Sequence, residues 1–226
     1  MSSTSQSRWG AFAFHSVAAA IMAYGWSSLQ TLSISEWILT QKGGHFQYLT
    51  ILGLLVAWLA MVMSTISDLI PALRFVKVLK RTLLMIALPL SIVISSVYWG
   101  LLLFMPHLIL RPEASEPSSS TEAPAFARIP LRIDLALHAA PGIALLIDFV
   151  FLEKKYSENQ ARYGGFSVAA FSGLLYSTWA EYCAKFNGIF PYPFLTNSEF
   201  PVRVAIYVVL TLFAYSFFVW LNAQRR

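Results

Sequence analysis

Residues 46–67 read FQYLTILGLLVAWLAMVMSTIS, a run that contains no Asp, Glu, Lys or Arg. A helix needs about 20 mostly apolar residues to cross the hydrocarbon core of a bilayer. Backbone polar groups have no water to bind inside a bilayer, so a spanning run of this length forms a helix. The stretch Phe46–Ser67 therefore predicts a transmembrane α-helix.

Similar runs lie on both sides of this stretch, and none of them shows the alternation of a β-strand. Pro89 and Pro141 fall inside two of the runs and predict kinks there. The sequence thus predicts an all-α fold, a polytopic membrane protein in which six transmembrane helices form one bundle. The five further spans are Trp9–Leu32, Leu83–Leu103, Leu131–Leu152, Phe166–Phe186 and Val202–Leu221.

The composition of the 226 residues agrees with a membrane protein, since 57% are hydrophobic and only 12% are charged. A soluble domain carries about 25% charged residues. The formal charge of +5 does not indicate a nucleic-acid partner, because the Lys and Arg residues sit in short loops between the apolar runs. Cys183 is the single cysteine, which excludes an intrachain disulfide.

One loop differs from the rest of the chain. Residues 111–124 read RPEASEPSSSTEAP, a composition that cannot bury an apolar core. We therefore predict one six-helix membrane domain over residues 1–226, with a flexible Pro/Ser-rich loop at 106–130. We find no internal repeat, which disfavours an inverted-repeat transporter.

The basic residues predict the orientation in the membrane. With a cytosolic N-terminus, ten of the sixteen Lys and Arg residues lie on the cytosolic side, and cytosolic loops carry the excess of positive charge. Both termini are therefore predicted to be cytosolic, and the endoplasmic reticulum is the expected member of the endomembrane system. The run Ala18–Ala20 resembles the end of a signal peptide, but the apolar stretch continues to Leu32 and favours a span.

Signatures of soluble enzymes are missing from the sequence. The nearest match to a Gly-x-Ser-x-Gly elbow, at residues 165–169, ends in alanine. The four histidines are scattered without a close ligand pair, and no glycine-rich phosphate loop occurs. We therefore expect neither a metal site nor a cofactor.

Polar residues inside the spans are the remaining candidates for chemistry, because such residues are costly in a bilayer. Asp134 and His138 are four residues apart and share one helix face. A carboxylate in that position orients an imidazole for work as a base. Alternatively, Asp134 is an interfacial residue and His138 binds a neighbouring helix.

Thr50 places a hydroxyl at a depth in the membrane similar to that of His138. Thr50 lies about 6 Å along the second span and His138 roughly 10 Å along the fourth, at 1.5 Å per residue from the same membrane face. Both residues thus fall in the same third of a hydrocarbon layer roughly 30 Å thick, which is necessary but not sufficient for a nucleophile and its base. A buried threonine that only bonds its own helix is the alternative.

Five short segments, in order along the chain, resemble the androgen-induced family of membrane hydrolases, which includes the androgen-dependent tissue-factor-pathway-inhibitor-regulating protein. The similarity extends from about Trp9 to Trp220. The segments are Gly43-Gly44 with Tyr48-Leu49-Thr50, Ser67-Asp68-Leu69, Tyr98-Trp99-Gly100-Leu101, His138, and Gly188 with Tyr192-Pro193-Phe194-Leu195.

This resemblance implies a threonine hydrolase that cleaves fatty acid esters of hydroxy fatty acids, with Thr50 as nucleophile and His138 as general base. Asp134, Gln47, Asn187 and Tyr192 are the candidates for orienting the base or binding substrate. The resemblance also implies a lipid partner with fatty acyl chains beside the bilayer itself, and no nucleic acid. The oligomeric state stays open, and so does the alternative of a non-enzymatic lipid-binding or transport protein.

Three further polar residues are expected to have structural roles. Glu181 is expected to pair with Lys185, four residues on. His15 is expected to be a packing residue. Asp148 lies too far along its helix to contact His138 and is expected to bind Lys154 or Lys155.

Overall fold

A computed structural model describes the backbone of residues 2–110 and 128–225, with side chains from residue 8 onward. Its described part is all-helical, as the sequence predicts, and nine α-helices alternate with short 3-10 or π turns. Residues 111–127, the main part of the predicted flexible loop at 106–130, lie outside the described residues. The α-helices are α1 (Ser2–Ser27), α2 (Ser35–Thr40), α3 (Leu49–Leu69), α4 (Arg74–Phe104), α5 (Leu131–His138), α6 (Ala140–Ile147), α7 (Gly165–Asn187), α8 (Pro193–Thr196) and α9 (Phe200–Gln224).

Within the described residues, three helices are long and apolar enough to cross a bilayer, namely α3, α4 and α9. The bent pair Leu131–His138 and Ala140–Leu152 makes a fourth if it counts as one span. Helices α1 and α7 are long enough but more polar, because α1 starts in a Ser-rich segment and α7 carries Glu181 and Lys185. The arrangement of six spans stays a prediction.

Several predicted boundaries differ from the structure, including the end of the first span, expected at Leu32, because α1 ends at Ser27. Two further differences concern the starts of α3 and α4. The second span was expected from Phe46, but α3 begins at Leu49 because Gly44–Gln47 forms a 3-10 turn after Gly43, whose φ is +88°. Only glycine adopts such a φ without strain. The shorter helix places Thr50 in its first turn. Helix α4 begins at Arg74, well before the expected Leu83, so its first turns carry basic residues.

The two predicted kinks have different outcomes. Helices α5 and α6 meet at an angle of 42° on either side of Ala139, beside Pro141. Proline lacks the N–H that would continue the helix, and its ring collides with the preceding turn. The kink at Pro141 is therefore confirmed, and the kink at Pro89, which lies inside the continuous helix α4, stays a prediction.

The helices pack in two layers. Helix α3 lies between α1 and α4, while α7 pairs with α9, and this pair contacts α4. Small residues permit the close approach, since Ala57, Ala60 and Ala87 are fully buried and Gly53 lies against Ile94. Membrane helices associate through such tight contacts because lipid supplies no hydrophobic drive between them. A space remains between the α3–α4 face and the α7–α9 face.

A buried charged cluster ties the helices together at the end opposite Thr50. The ring of His15 binds Asp68 through Nδ1 at 2.6 Å and Asp148 through Nε2 at 3.1 Å. Lys80 Nζ lies 3.3 Å from the same Asp148 carboxylate. The expectation that Asp148 binds a lysine of the following loop is wrong, because α4 begins early enough to bring Lys80 beside it. His15 is likewise an ionic partner, not merely a packing residue.

A second ion pair corrects the expected contact within α7. The Arg203 guanidinium binds the Glu181 carboxylate through two nitrogens, at 2.7 and 2.8 Å. A fork of two parallel bonds is stronger and more directional than a lysine contact. Glu181 therefore joins α7 to α9, and the predicted pairing with Lys185 is wrong.

Candidate functional site

Thr50 lies in the first turn of α3, where it is buried. The first amides of an α-helix have no carbonyl partner within the helix and carry a partial positive charge. Here the Tyr48 carbonyl accepts from the amides of Ile51 and Leu52, which leaves the Thr50 N–H directed away from the helix. The Thr50 hydroxyl thus lies beside the N–H group of its own residue, which is free to donate to a group outside the helix.

The Tyr192 hydroxyl faces Thr50 from the loop that follows α7. It accepts from the Thr50 N–H at 3.4 Å and lies 3.5 Å from Thr50 Oγ1. The tyrosine ring packs edge-on against Tyr48, with centroids 5.7 Å apart. Burial raises the pKa of the Tyr192 phenol, so the hydroxyl keeps its proton at neutral pH and remains a hydrogen-bond donor.

His138 and Asp134 form a buried pair on α5. His138 Nδ1 lies 2.7 Å from Asp134 Oδ1, which is the i,i+4 contact that the sequence predicts. A carboxylate acceptor at this distance holds the proton on Nδ1. In the neutral ring, Nε2 therefore carries the free lone pair and can accept a proton from a hydroxyl.

Helix α4 fixes the His138 ring and backbone from the other side. The Tyr98 ring stacks on the imidazole with centroids 3.5 Å apart and planes 2° from parallel. Ser95 Oγ donates to the His138 carbonyl at 2.5 Å, at the break between α5 and α6. A Cβ on Gly142 would come within 3.0 Å of this Ser95 oxygen, so glycine leaves room for the contact.

Thr50 and His138 face the same small gap between α3, α4 and α5, together with Ser91, Ser95 and Pro141. The gap has no room for a water molecule. Among the described hydrogen bonds none joins Thr50 directly to His138. Catalytic hydrogen bonds are often long in the absence of substrate and tighten when it binds. Thr50 and His138 thus line one small gap but are not hydrogen-bonded to each other.

Thr50 also borders a much larger cavity of about 550 Å³ between the two helix layers. Aliphatic and aromatic side chains from α3, α4, α7 and α9 form nearly all of its wall. This volume lies within the range of small-molecule pockets, which are mostly apolar with a few placed polar groups. Thr50 therefore stands where an apolar cavity meets the gap that contains His138.

Gln47 and Asn187, the other candidates from the sequence, lie nearby but bind elsewhere. The Gln47 amide donates to Gln41 at 2.8 Å and accepts from Asn187 at 3.4 Å. Asn187 also accepts from the Lys42 amide at 2.8 Å and donates to its carbonyl. These bonds fasten the 41–47 turn to the end of α7. Of the four secondary candidates, Asp134 and Tyr192 contact the pair, whereas Gln47 and Asn187 support the backbone before Thr50.

Sequence reasoning did not assign roles to Ser95 and Tyr98. Ser91 and Ser95 are four residues apart in a predicted span, and such polar positions mark sites in membrane helices. That signal places serines on one face of α4 but does not reveal the carbonyl that Ser95 binds. The stacking of Tyr98 on His138 depends on the bend at Pro141. The sequence predicts that bend but not its angle.

A hydroxyl, an imidazole and a carboxylate in this order can carry out acyl transfer. The carboxylate orients the base, the base takes the hydroxyl proton, and nearby N–H and O–H donors stabilise an oxyanion. Within residues 8–110 and 128–225, no three His, Cys, Asp or Glu side chains gather as a metal site requires.

Comparison with known proteins gives a family relationship. The family model described as FAR-17a/AIG1-like protein matches residues 10–225. A UPF0641 membrane protein of Schizosaccharomyces pombe is 30% identical over 225 residues, which cover 98% of this chain and 92% of the relative. A UPF0641 membrane protein of Saccharomyces cerevisiae is 23% identical over 214 residues, covering 89% and 85% respectively. No solved structure matches the chain.

Proposed function

The chain belongs to the FAR-17a/AIG1-like family of membrane proteins, and from this premise we propose that it is an intramembrane lipid ester hydrolase. The proposed substrates are fatty acid esters of hydroxy fatty acids, with Thr50 as nucleophile and His138 as general base. The observation that carries the proposal is the position of Thr50 between the apolar cavity and the gap that contains His138. An acyl chain in the cavity brings its carbonyl to a hydroxyl that has a base beside it.

The first chemical step is acylation of Thr50. Thr50 Oγ1 attacks the ester carbonyl while His138 Nε2 takes the hydroxyl proton. Asp134 stabilises the imidazolium that forms, because its carboxylate lies 2.7 Å from Nδ1. The proton then passes from His138 to the leaving alkoxide, and the acyl group stays on Thr50. After the alcohol has left, water enters the space that it vacated, is activated by the same histidine and releases the fatty acid from Thr50.

The oxyanion of the tetrahedral intermediate has two donors in reach. The Thr50 N–H and the Tyr192 O–H lie 3.4 Å apart at the positive end of α3. A carbonyl oxygen that enters between them replaces their contact with each other. Donors fixed before the reaction stabilise the transition state more than the ground state. Tyr192 is therefore assigned as a catalytic residue of the oxyanion site.

The same proposal includes six spans, with both termini in the cytosol and the Thr50 end on the opposite side. The substrate then enters from the leaflet distant from the termini. The proposed location is the endoplasmic reticulum. The apolar helices and the names of the two relatives support a membrane location.

Hydrolysis of a branched fatty acid ester by the purified protein in detergent tests the proposal. Thr50→Ala and His138→Ala should each lower kcat at least about 10²-fold, the contribution of general-base assistance alone. The double variant should be barely worse than either single variant, since the two groups act as one unit. Thr50→Ser should keep partial activity because it retains the hydroxyl.

Matched controls separate loss of chemistry from loss of folding. Thr65→Ala removes another threonine of α3, whose hydroxyl only donates to the Met61 carbonyl, and should leave hydrolysis unchanged. Near-wild-type hydrolysis by Thr50→Ala would contradict the nucleophile assignment. Binding of fatty acids without cleavage of any ester would instead indicate a lipid carrier.

A further inference from the structure

The large cavity is long as well as apolar. Its wall on α4 extends from Tyr98 to Met85, about 20 Å of helix at 1.5 Å per residue. On α7 the wall extends from Trp179 to Val168, roughly 16 Å. Thr50 borders only one end of this space. A ligand that reacts at Thr50 therefore has to place the rest of its length along the cavity.

The end distant from Thr50 is closed by aromatic packing. Ala214 is the last cavity residue on α9, and Phe218, one turn further, is buried. The Phe218 ring packs against Phe149 and Tyr156, with ring centroids 5.8 and 5.5 Å away. Just before this floor, two small side chains line the wall that α7 and α9 form together, namely Ala169 and Ala214. The width at these two alanines determines how far a chain can extend.

The side of the cavity is open beside α7. Leu175 lines the cavity and is nevertheless 60% exposed, so an acyl chain can enter sideways from the lipid. The rim near Thr50 is formed by Phe46 and Trp179. This geometry provides a long apolar space for one chain of an ester and leaves the other chain at the rim.

We propose that the cavity holds the acyl chain of the ester, and not its alcohol, and that Ala169 and Ala214 limit the length of that chain. This inference rests on the proposed hydrolase function. From Ile94, which lines the small gap with Thr50, to Met85 is about 14 Å of helix. An extended chain advances about 1.2 Å per bond, because three backbone bonds span roughly 3.6 Å. About twelve carbons therefore fit between the reacting carbonyl and the floor.

The chemistry assigns the two halves of the ester to different places. When Thr50 Oγ1 bonds to the carbonyl carbon, the bond from that carbon to the alcohol oxygen breaks. The Thr50 proton passes through His138 to the alcohol, which leaves at the rim. The acyl chain remains in the cavity until water cleaves the Thr50 ester. Rates should consequently depend on acyl length and only weakly on alcohol length.

Two ester series measured on the purified full-length chain test this inference. One series varies the saturated acyl group from octanoyl to stearoyl on a single hydroxy fatty acid, and the other varies the alcohol under one acyl group. For the wild type, kcat/KM should rise with each added methylene until the cavity is full and then level off. The slope should stay below the about fourfold per methylene that transfer from water would give, because the chain arrives from lipid or detergent. Along the alcohol series kcat/KM should change less than about twofold per methylene.

The variant Ala169→Phe shortens the cavity. It should lower kcat/KM for the longest acyl chains at least about tenfold and leave the octanoyl ester within about twofold. Ala170→Phe is the matched control, because Ala170 is the adjacent alanine on α7, is half-buried and does not line the cavity. The Ala170→Phe variant should show the same dependence of kcat/KM on acyl length as the wild type. Ala169→Leu and Ala214→Leu, which add less volume, should shift the profile in the same direction.

The outcomes distinguish this inference from the function on which it rests. If the wild type hydrolyses esters but the variants at Ala169 and Ala214 leave the length profile unchanged, the length limit is refuted and the hydrolase stands. A steeper dependence on the alcohol than on the acyl group would also refute it. If the wild type hydrolyses no ester of either series, the hydrolase function and the length limit fail together.

Discussion

Removal of the Asp134 carboxylate by Asp134→Ala should lower kcat roughly 10- to 150-fold. The carboxylate lies 2.7 Å from His138 Nδ1, and the side chains of His138 and Asp134 are only 5% and 7% exposed. A hydrogen bond to a charged group contributes about 1.5–3 kcal/mol, and each 1.36 kcal/mol is a factor of ten in rate. Without its acceptor, the imidazole also loses the tautomer that leaves Nε2 free.

The assay is ester hydrolysis in detergent at saturating substrate, with helicity and expression matched across variants. Asp134→Asn keeps the shape of the side chain but can donate to Nδ1, so it should be impaired as strongly as Asp134→Ala. In a His138→Ala background, Asp134→Ala should cost almost nothing more, because its effect acts through the ring. A kcat within twofold of wild type for Asp134→Ala would refute the orienting role. An equal loss in both backgrounds would show that Asp134 acts on stability and not on His138.

Three further predictions concern other parts of the chain. Tyr192→Phe should lower kcat about 10²-fold with little change in KM, whereas Tyr182→Phe on the exposed face of α7 should have no effect, as steady-state kinetics will show. Asp148→Ala should destabilise the protein in thermal unfolding by less than the about 3–5 kcal/mol of a fully unpaired buried charge, because Lys80 keeps Glu153 and His15 keeps Asp68 as a partner. By comparison, the exposed ion pair between Glu158 and Arg162 should contribute under about 1 kcal/mol to the free energy of unfolding. A glycosylation sequon engineered near Ser119 should be modified in microsomes, whereas a second sequon engineered in the loop before α7 should not. Modification of the second sequon alone would show that the orientation is reversed.

The helices were largely predictable because their physical cause is local. Apolar runs of span length have only one way to satisfy their backbone in lipid. The positions of α3 and α9 and the end of α4 follow from this rule within a few residues. The start of α3 at Leu49 was less predictable, because it depends on positive φ at Gly43 and Gly44 and on the Gln47 and Asn187 bonds to a distant segment.

The contact between Asp134 and His138 was predictable from the sequence, but the side chains that surround it were not. Helical periodicity gives the contact between Asp134 and His138, since residues four apart are neighbours. The stacking of Tyr98 on His138 and the approach of Tyr192 to Thr50 join residues far apart in sequence. Such contacts depend on helix crossing and on the bend at Pro141, which periodicity does not encode.

The misassigned ion pairs have one cause in common. Sequence reasoning paired Glu181 and Asp148 with their nearest basic neighbours along the chain. In the structure each carboxylate is bound by a cation from another helix, Arg203 of α9 and Lys80 of α4. A buried charge needs a partner that is buried with it, and neighbouring helices supply such partners more often than solvent-exposed loops do.

Direct detection of an acylated Thr50 tests the central claim most sharply. Purified protein is mixed with a palmitoyl ester of a hydroxy fatty acid, quenched in acid within the first turnover, digested and read by peptide mass spectrometry. The proposal predicts a palmitoyl group on the peptide that contains Thr50, with none on the same peptide of Thr50→Ala. Wild-type turnover without any acylated Thr50, or the same acyl group on another residue of both proteins, would contradict the nucleophile assignment.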